Sequence, residues 1–263
     1  MTYRFFKEFI HRPMMRTRQS PLVKIIKKID EIFFLGIIKK NYKKFIMIPR
    51  IQNAHKERLQ KIIDLRQYKS LTFYNNHFNH IYENKLDGDI VECGVGDGYS
   101  LSIILFNLIS NKFLDKKKYY GFDSFEGFPA PDINDTSNRN PKKGDWGHAN
   151  EQFVFDNLKS VGFNNDSLKK IELIKGFFND TFSDKKSKIE KICLLSLECD
   201  LPSSYKISLD TWYDKVVVGG IIVLGGSAYK EFNAVKAIDE FFGERKKYIK
   251  KCEISDLYYY IKE

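Results

Sequence analysis

From Asp87 onward the chain alternates short, wholly apolar runs with longer segments of helical period, and this alternation constrains the fold more than any other feature. The runs "GDIVEC" (88–93), "KYYGFD" (118–123), "IELIK" (171–175), "ICLLSLE" (192–198) and "GIIVL" (220–224) read as strands. Helical patterns fall between them at "SLSIILFNLI" (100–109) and around 150–160, 203–215 and 231–243. "KKYIKKCEI" and "DLYYYIKE" read as a closing strand pair. A strand that is apolar at every position must be covered on both faces, and strand–helix alternation supplies that cover in a parallel sheet. The expected class is therefore α/β: a doubly wound, mostly parallel, seven-stranded, Rossmann-like sheet. Its ligands would bind outside the carboxyl ends of the strands. Residues 1–85 read mostly as helix, which divides the chain into a basic helical extension (1–65) and a single domain (66–263).

Composition removes several alternatives. With 43% hydrophobic residues, 22 Phe and 15 Tyr, the chain can bury a substantial core, which excludes wholesale disorder. Its four cysteines show no C-x-x-C spacing, against both a disulfide framework and a zinc site. The longest apolar runs, such as Ile32–Ile38, are too short to span a bilayer, and no signal-peptide core is evident. Cytoplasmic is the expected location.

Charge is unevenly placed. Residues 1–50 hold 13 Lys/Arg against 3 Asp/Glu, and the remainder carries 31 of each sign. A basic segment interleaved with aliphatic and aromatic side chains can pack on its own domain or a second subunit. It can also lie on an anionic membrane surface. Nucleic acid, held by nonspecific charge, is the least expected partner.

Two strand ends point to a nucleotide-like ligand. "VECGVGDGYS" joins the first strand to its helix and gives Glu92-x-Gly94-x-Gly96-x-Gly98, with Val95 and Ser100 in the same turn. Glycines there let the backbone turn sharply beside a ligand and open a helix at its electropositive end. The spacing is neither the dinucleotide fingerprint nor a P-loop. An acid two residues before the first glycine suits a ligand with a cationic group. The second strand ends "GFDSFEGFP", placing Asp123 at its tip, where an acid accepts ribose hydroxyls. Together these fit S-adenosylmethionine.

The ordered set "GDIVECGVGDGYS", "GFDSFEGFP", "LIKGFFNDTF", "ECDLPSSYKISL" and "GGIIVLGGS" resembles the macrocin O-methyltransferase family. These are class I S-adenosylmethionine-dependent enzymes acting on sugar hydroxyls. The resemblance spans about residues 70–245 and implies cofactor contacts from Glu92, Gly94, Val95, Gly96, Gly98, Ser100, Asp123, Ser124, Phe125, Gly176 and Phe177. It implies a homo-oligomer and a sugar or glycoconjugate acceptor. It also implies a magnesium ion held by an acid at the fourth strand's end and an Asp pair at the fifth's, with a further Asp as general base. Glu198 stands at the first metal position and Asp200 at the base position. Gly225 and Gly226 stand where the Asp pair belongs, so magnesium is not expected here.

The polar stretch 130–151 is too long for an ordinary connector and reads as either disordered or a lid. Within it, His148 beside Trp146 reads as a second catalytic candidate over a sugar, or as loop packing. His77 and His80 have a metal-compatible i, i+3 spacing, but helix packing is the reading preferred. The function expected is sugar O-methylation with an altered metal site. The alternative is a cofactor-binding scaffold that no longer catalyses. The membrane reading of the N-terminus predicts that deleting residues 1–50 abolishes binding to anionic vesicles in a flotation assay; unchanged binding removes it.

Overall fold

A computed structural model describes residues 65–113, 116–226, 229 and 231–263. The basic extension, apart from Leu65, lies outside the described residues, and with it the membrane contact expected of it.

Seven strands form one sheet in the order β3-β2-β1-β4-β5-β7-β6. They are β1 (Asp89–Cys93), β2 (Tyr119–Asp123), β3 (Ile171–Lys175), β4 (Ile192–Leu197), β5 (Val216–Leu224), β6 (Lys250–Lys251) and β7 (Tyr258–Ile261). The first five pair in parallel, and β7 runs antiparallel to both β5 and β6. The helices are α1 (Leu65–Glu83), α2 (Tyr99–Ser110), α3 (Glu151–Ser160), α4 (Asn165–Leu168), α5 (Phe178–Lys186), α6 (Pro202–Trp212) and α7 (Val235–Phe242).

Side-chain alternation explains the two-sided cover. Ile90, Leu194, Ile221 and Val223 point into a core with Phe73, Tyr74 and Phe78 of α1 and Leu101, Ile104 and Leu108 of α2. Val91, Leu195, Ile222 and Leu224 point the other way, onto Phe182 of α5, Leu209 and Trp212 of α6 and Ile238 of α7. Consecutive strand residues serve opposite cores, so each strand must be apolar throughout.

Where expectation and structure differ, the cause is local. Strand β5 starts at Val216 rather than 220, because the register against β4 shifts between Ile192 and Leu194 and glycines at 219 and 220 interrupt the pattern. Helix α5 buries only Phe182 among its own residues, so its periodicity is too thin to read. His77 and His80 spend ring nitrogens on the carbonyls of Phe73 (2.7 Å) and Gly219 (3.0 Å), as the packing reading expects.

The chain passes from β1 outward through β2 to β3, then crosses back to β4 on the other side of β1. That reversal opens a crevice at the carboxyl ends of β1, β2 and β4, where ligands bind in sheets of this kind.

Candidate active site

The turn after β1 is built around one carboxylate. Asp123, at the tip of β2, accepts the N–H groups of Val95 (2.9 Å) and Gly96 (2.8 Å) on Oδ2 and that of Phe125 (2.7 Å) on Oδ1. A carboxylate has about four acceptor directions, so one on Oδ1 remains for a ligand. Gly94 has φ 92° and lies so close to β4 that a Cβ there would stand 2.5 Å from the Glu198 carbonyl oxygen. Only glycine fits.

Glu92 stands beneath this turn, fully buried, with its two oxygens accepting the hydroxyls of Ser100 and Tyr119. Burial pushes its carboxyl up to about 7, with the Asp123 charge adding to the rise and the two hydroxyls opposing it. It does not face the cavity. In this structure it braces the turn from below.

The end of β4 carries the acids. Glu198 is raised to about 8, chiefly by burial and then by the charges of Glu92 and Asp200. Asp200 has φ 58°, and Leu201 N–H bonds back to Cys199 O at 2.7 Å, closing a three-residue turn centred on it. Turns of that hand strain a non-glycine residue, and such strain gathers at functional sites. The hydroxyl of Tyr205 ties the neighbouring tips together: it donates to Leu197 O (2.7 Å) and accepts from Gly225 N–H (2.9 Å).

A cavity of about 920 Å³ joins these pieces. Gly94, Val95, Gly96, Ser100, Asp123, Ser124 and Phe177 all line it. Glu198 and Asp200 line it too, as do Trp146 and His148 of the long polar stretch. Of the other residues singled out from sequence, Gly98 is the left-handed N-cap of α2, Phe125 is buried behind Asp123, and Gly176 continues the β3 end. The stretch 130–151 is a compact loop, not a disordered one. Phe128 and Gly144 tie its ends together (Gly144 N–H to Phe128 O, 3.0 Å), and Asn150 caps α3 by accepting Phe153 N–H at 2.8 Å. Trp146 holds φ 67° and is 55% exposed.

Four contributors were not read from sequence. Tyr74 on α1 lines the cavity and bonds Ser196 at 3.0 Å, a contact between residues far apart in the chain. Tyr205 passes for an ordinary core residue. Lys206 and Lys236, on α6 and α7, line the outer wall and look like solvated charges in the sequence.

The metal site implied by the resemblance was tested against the space available, and the residues do not fit it. A Cβ at Gly225 would stand 2.5 Å from Glu198 Oε2, so the longer acid occupies the room that a side chain at 225 needs. A Cβ at Gly226 would stand 2.3 Å from the Asp256 carbonyl oxygen. Among the described residues no group of three His, Cys, Asp or Glu is placed to hold a metal ion.

A seven-stranded sheet in this order, parallel but for β7, with helices on both faces, is the class I methyltransferase architecture. The chain belongs to the macrocin-O-methyltransferase (TylF) family, whose model matches residues 66–256. Among solved structures it is similar to the O-methyltransferase NovP, at 21% identity and TM-score 0.60, covering 74% of this chain and 79% of that one. It is also similar to the calicheamicin methyltransferase CalS11, at 16% identity and TM-score 0.64, covering 93% and 94%. At these identities the structures speak for the fold. A search of curated proteins gives no match.

Two outcomes follow from the geometry. Gly226→Ala should lower stability by about 1–3 kcal/mol in urea denaturation, because backbone of the β6–β7 connection must move aside. Glu92 and Glu198 have raised pKa values, so the folded chain retains protons the unfolded chain has released. Their contribution therefore falls as pH rises from the ordinary 4.5 through about 7 and about 8. Glu198→Gln should gain stability relative to wild type at pH 9 and show little gain at pH 5; an equal difference at both would count against this.

Proposed function

We propose that this chain transfers the methyl group of S-adenosylmethionine to a sugar hydroxyl, in glycan or natural-product biosynthesis, without a family-type magnesium site. The observation that carries the reading is the single cavity in which the glycine turn and Asp123 meet Asp200. Membership of an O-methyltransferase family supports it, as does likeness to CalS11, a structure of which is described as a TDP-rhamnose 3'-O-methyltransferase (14% identity, TM-score 0.53, covering 93% of this chain and 96% of that one).

The residues present fit the cofactor. Asp123 keeps one acceptor direction for a ribose hydroxyl, and the backbone at Gly94–Gly96 lets a ligand approach closely. Phe177 and Phe178 offer an apolar wall for a base. Bound there, S-adenosylmethionine supplies an electrophilic methyl on a sulfonium and leaves as S-adenosylhomocysteine once that methyl is on oxygen.

The chain's own work is alignment and proton removal. Asp200 accepts the hydroxyl proton as the new carbon–oxygen bond forms. Its constrained turn holds the carboxylate in place, and alignment supplies much of the acceleration in a direct displacement. The lid residues, with Trp146 and His148, cover the acceptor end. Lys206 with Asp210, and Lys236 with Glu240, offer charged contacts to a polyhydroxylated acceptor.

Calorimetric titration with S-adenosylhomocysteine in EDTA, and again in magnesium, tests the reading. Binding is expected in both buffers at equal affinity, and Asp123→Ala should weaken it by about tenfold or more. Asp200→Asn should lower kcat on a sugar acceptor by about 10²–10⁴-fold while cofactor binding persists. Absence of binding in both buffers sinks the proposal. Binding without methyl transfer to any sugar leaves the scaffold reading in its place.

A further inference from the structure

The lid carries a buried acid that the reaction itself does not use. Asp135 is 2% exposed, although its neighbours Asp132, Asn134 and Thr136 are exposed and Ile133 is 87% exposed. A buried carboxylate has to be satisfied by donors. Asp135 receives them from outside its own loop: Ser203 N–H reaches Oδ1 at 2.9 Å and Ser203 Oγ–H reaches Oδ2 at 2.8 Å. Asp132 N–H completes the set on Oδ2 at 3.0 Å.

Ser203 is in the first turn of α6, and that helix starts without a cap of its own. Its N-cap residue is Leu201, which has no side-chain acceptor, and Pro202 follows. The first N–H groups of a helix lack internal partners, and an anion there is favoured by the helix dipole. Asp135 supplies the missing cap from the lid. The residue just before this helix start is Leu201's neighbour Asp200, held at φ 58°. A strained conformation persists only when its surroundings over-determine it. On the strand side the constraint is Glu198 N–H to Cys93 O (2.9 Å). On the helix side it is Asp135. The same tight turn, with Asp135 N–H bonded to Asp132 O at 3.1 Å, places Asp132 and Asn134 on the cavity wall.

We infer that Asp135 is a positioning residue: one carboxylate latches the lid to the start of α6, registering the lid wall of the acceptor site and the backbone that aims Asp200. Its action on catalysis rests on the methyl-transfer reading above; the latch itself does not.

Hydrogen exchange on the full-length chain, without cofactor or acceptor, tests the latch. In Asp135→Ala the lid amides of Phe128, Gly144 and Asp145 and those of Ser203–Tyr205 should lose protection together, while β1 and β2 keep theirs. Asp135→Asn, which retains an oxygen for Ser203 N–H, should recover part of the helix protection; it also serves if the alanine variant does not fold. Loosening of the lid alone, or no change in either segment, overturns the inference. For the catalytic part, Asp135→Ala should lower kcat on the order of tenfold with affinity for S-adenosylhomocysteine unchanged. In an Asp200→Asn background the same substitution should have little further effect. Fully additive losses overturn the positioning role. A wild-type chain that transfers no methyl group sinks the methyl-transfer reading, and the exchange result then decides the latch.

Discussion

The site depends first on the carboxylate of Asp123, held between two strands. By accepting the Val95 and Gly96 N–H groups it pulls the β1 turn against the tip of β2, which sets the floor of the crevice. Such bonds from backbone to a charged acceptor are stronger than neutral ones and need no side-chain ordering on the donor side. Phe125 N–H on the other oxygen fixes the carboxylate's rotation. Glu92 braces the same turn from below through Ser100 and Tyr119, at the cost of a buried acid whose proton is held up to about 7.

The far side of the crevice is organised by steric exchange rather than by charge. Glu198 reaches across the tips of β4 and β5 into space left by Gly225, and the connection between β6 and β7 rests its backbone on Gly226. Tyr205 stitches these tips by bonding both Leu197 O and Gly225 N–H. The arrangement is closed and internally bonded, and it explains why two strand-end positions carry no side chain.

Most of the fold was legible because each strand feeds two cores. Ile90 with Val91, and Leu194 with Leu195, make an apolar run whose only reading is a sheet covered on both faces. The glycine turn and Asp123 were legible for a similar reason: spacing and strand position alone determine them. The acid before the first glycine was legible, but its bond to the Tyr119 hydroxyl, 27 residues away, was not. Tyr74 and Asp135 were not legible. Their partners, Ser196 and Ser203, lie 122 and 68 residues away, so nothing in the local pattern marks either bond. The lid was recognised by length and polarity, but its anchoring acid is one Asp among several in the same stretch.

Gly225 and Gly226 are closed off in different ways. A side chain at 225 would meet the carboxylate end of Glu198, which can swing aside. A side chain at 226 would meet the backbone at Asp256, and that part of the hairpin must shift to admit it. The bare tip of β5 is thus kept by two different neighbours, one a side chain that can swing and the other a main chain that cannot, so its two glycines are unequal in what they would tolerate.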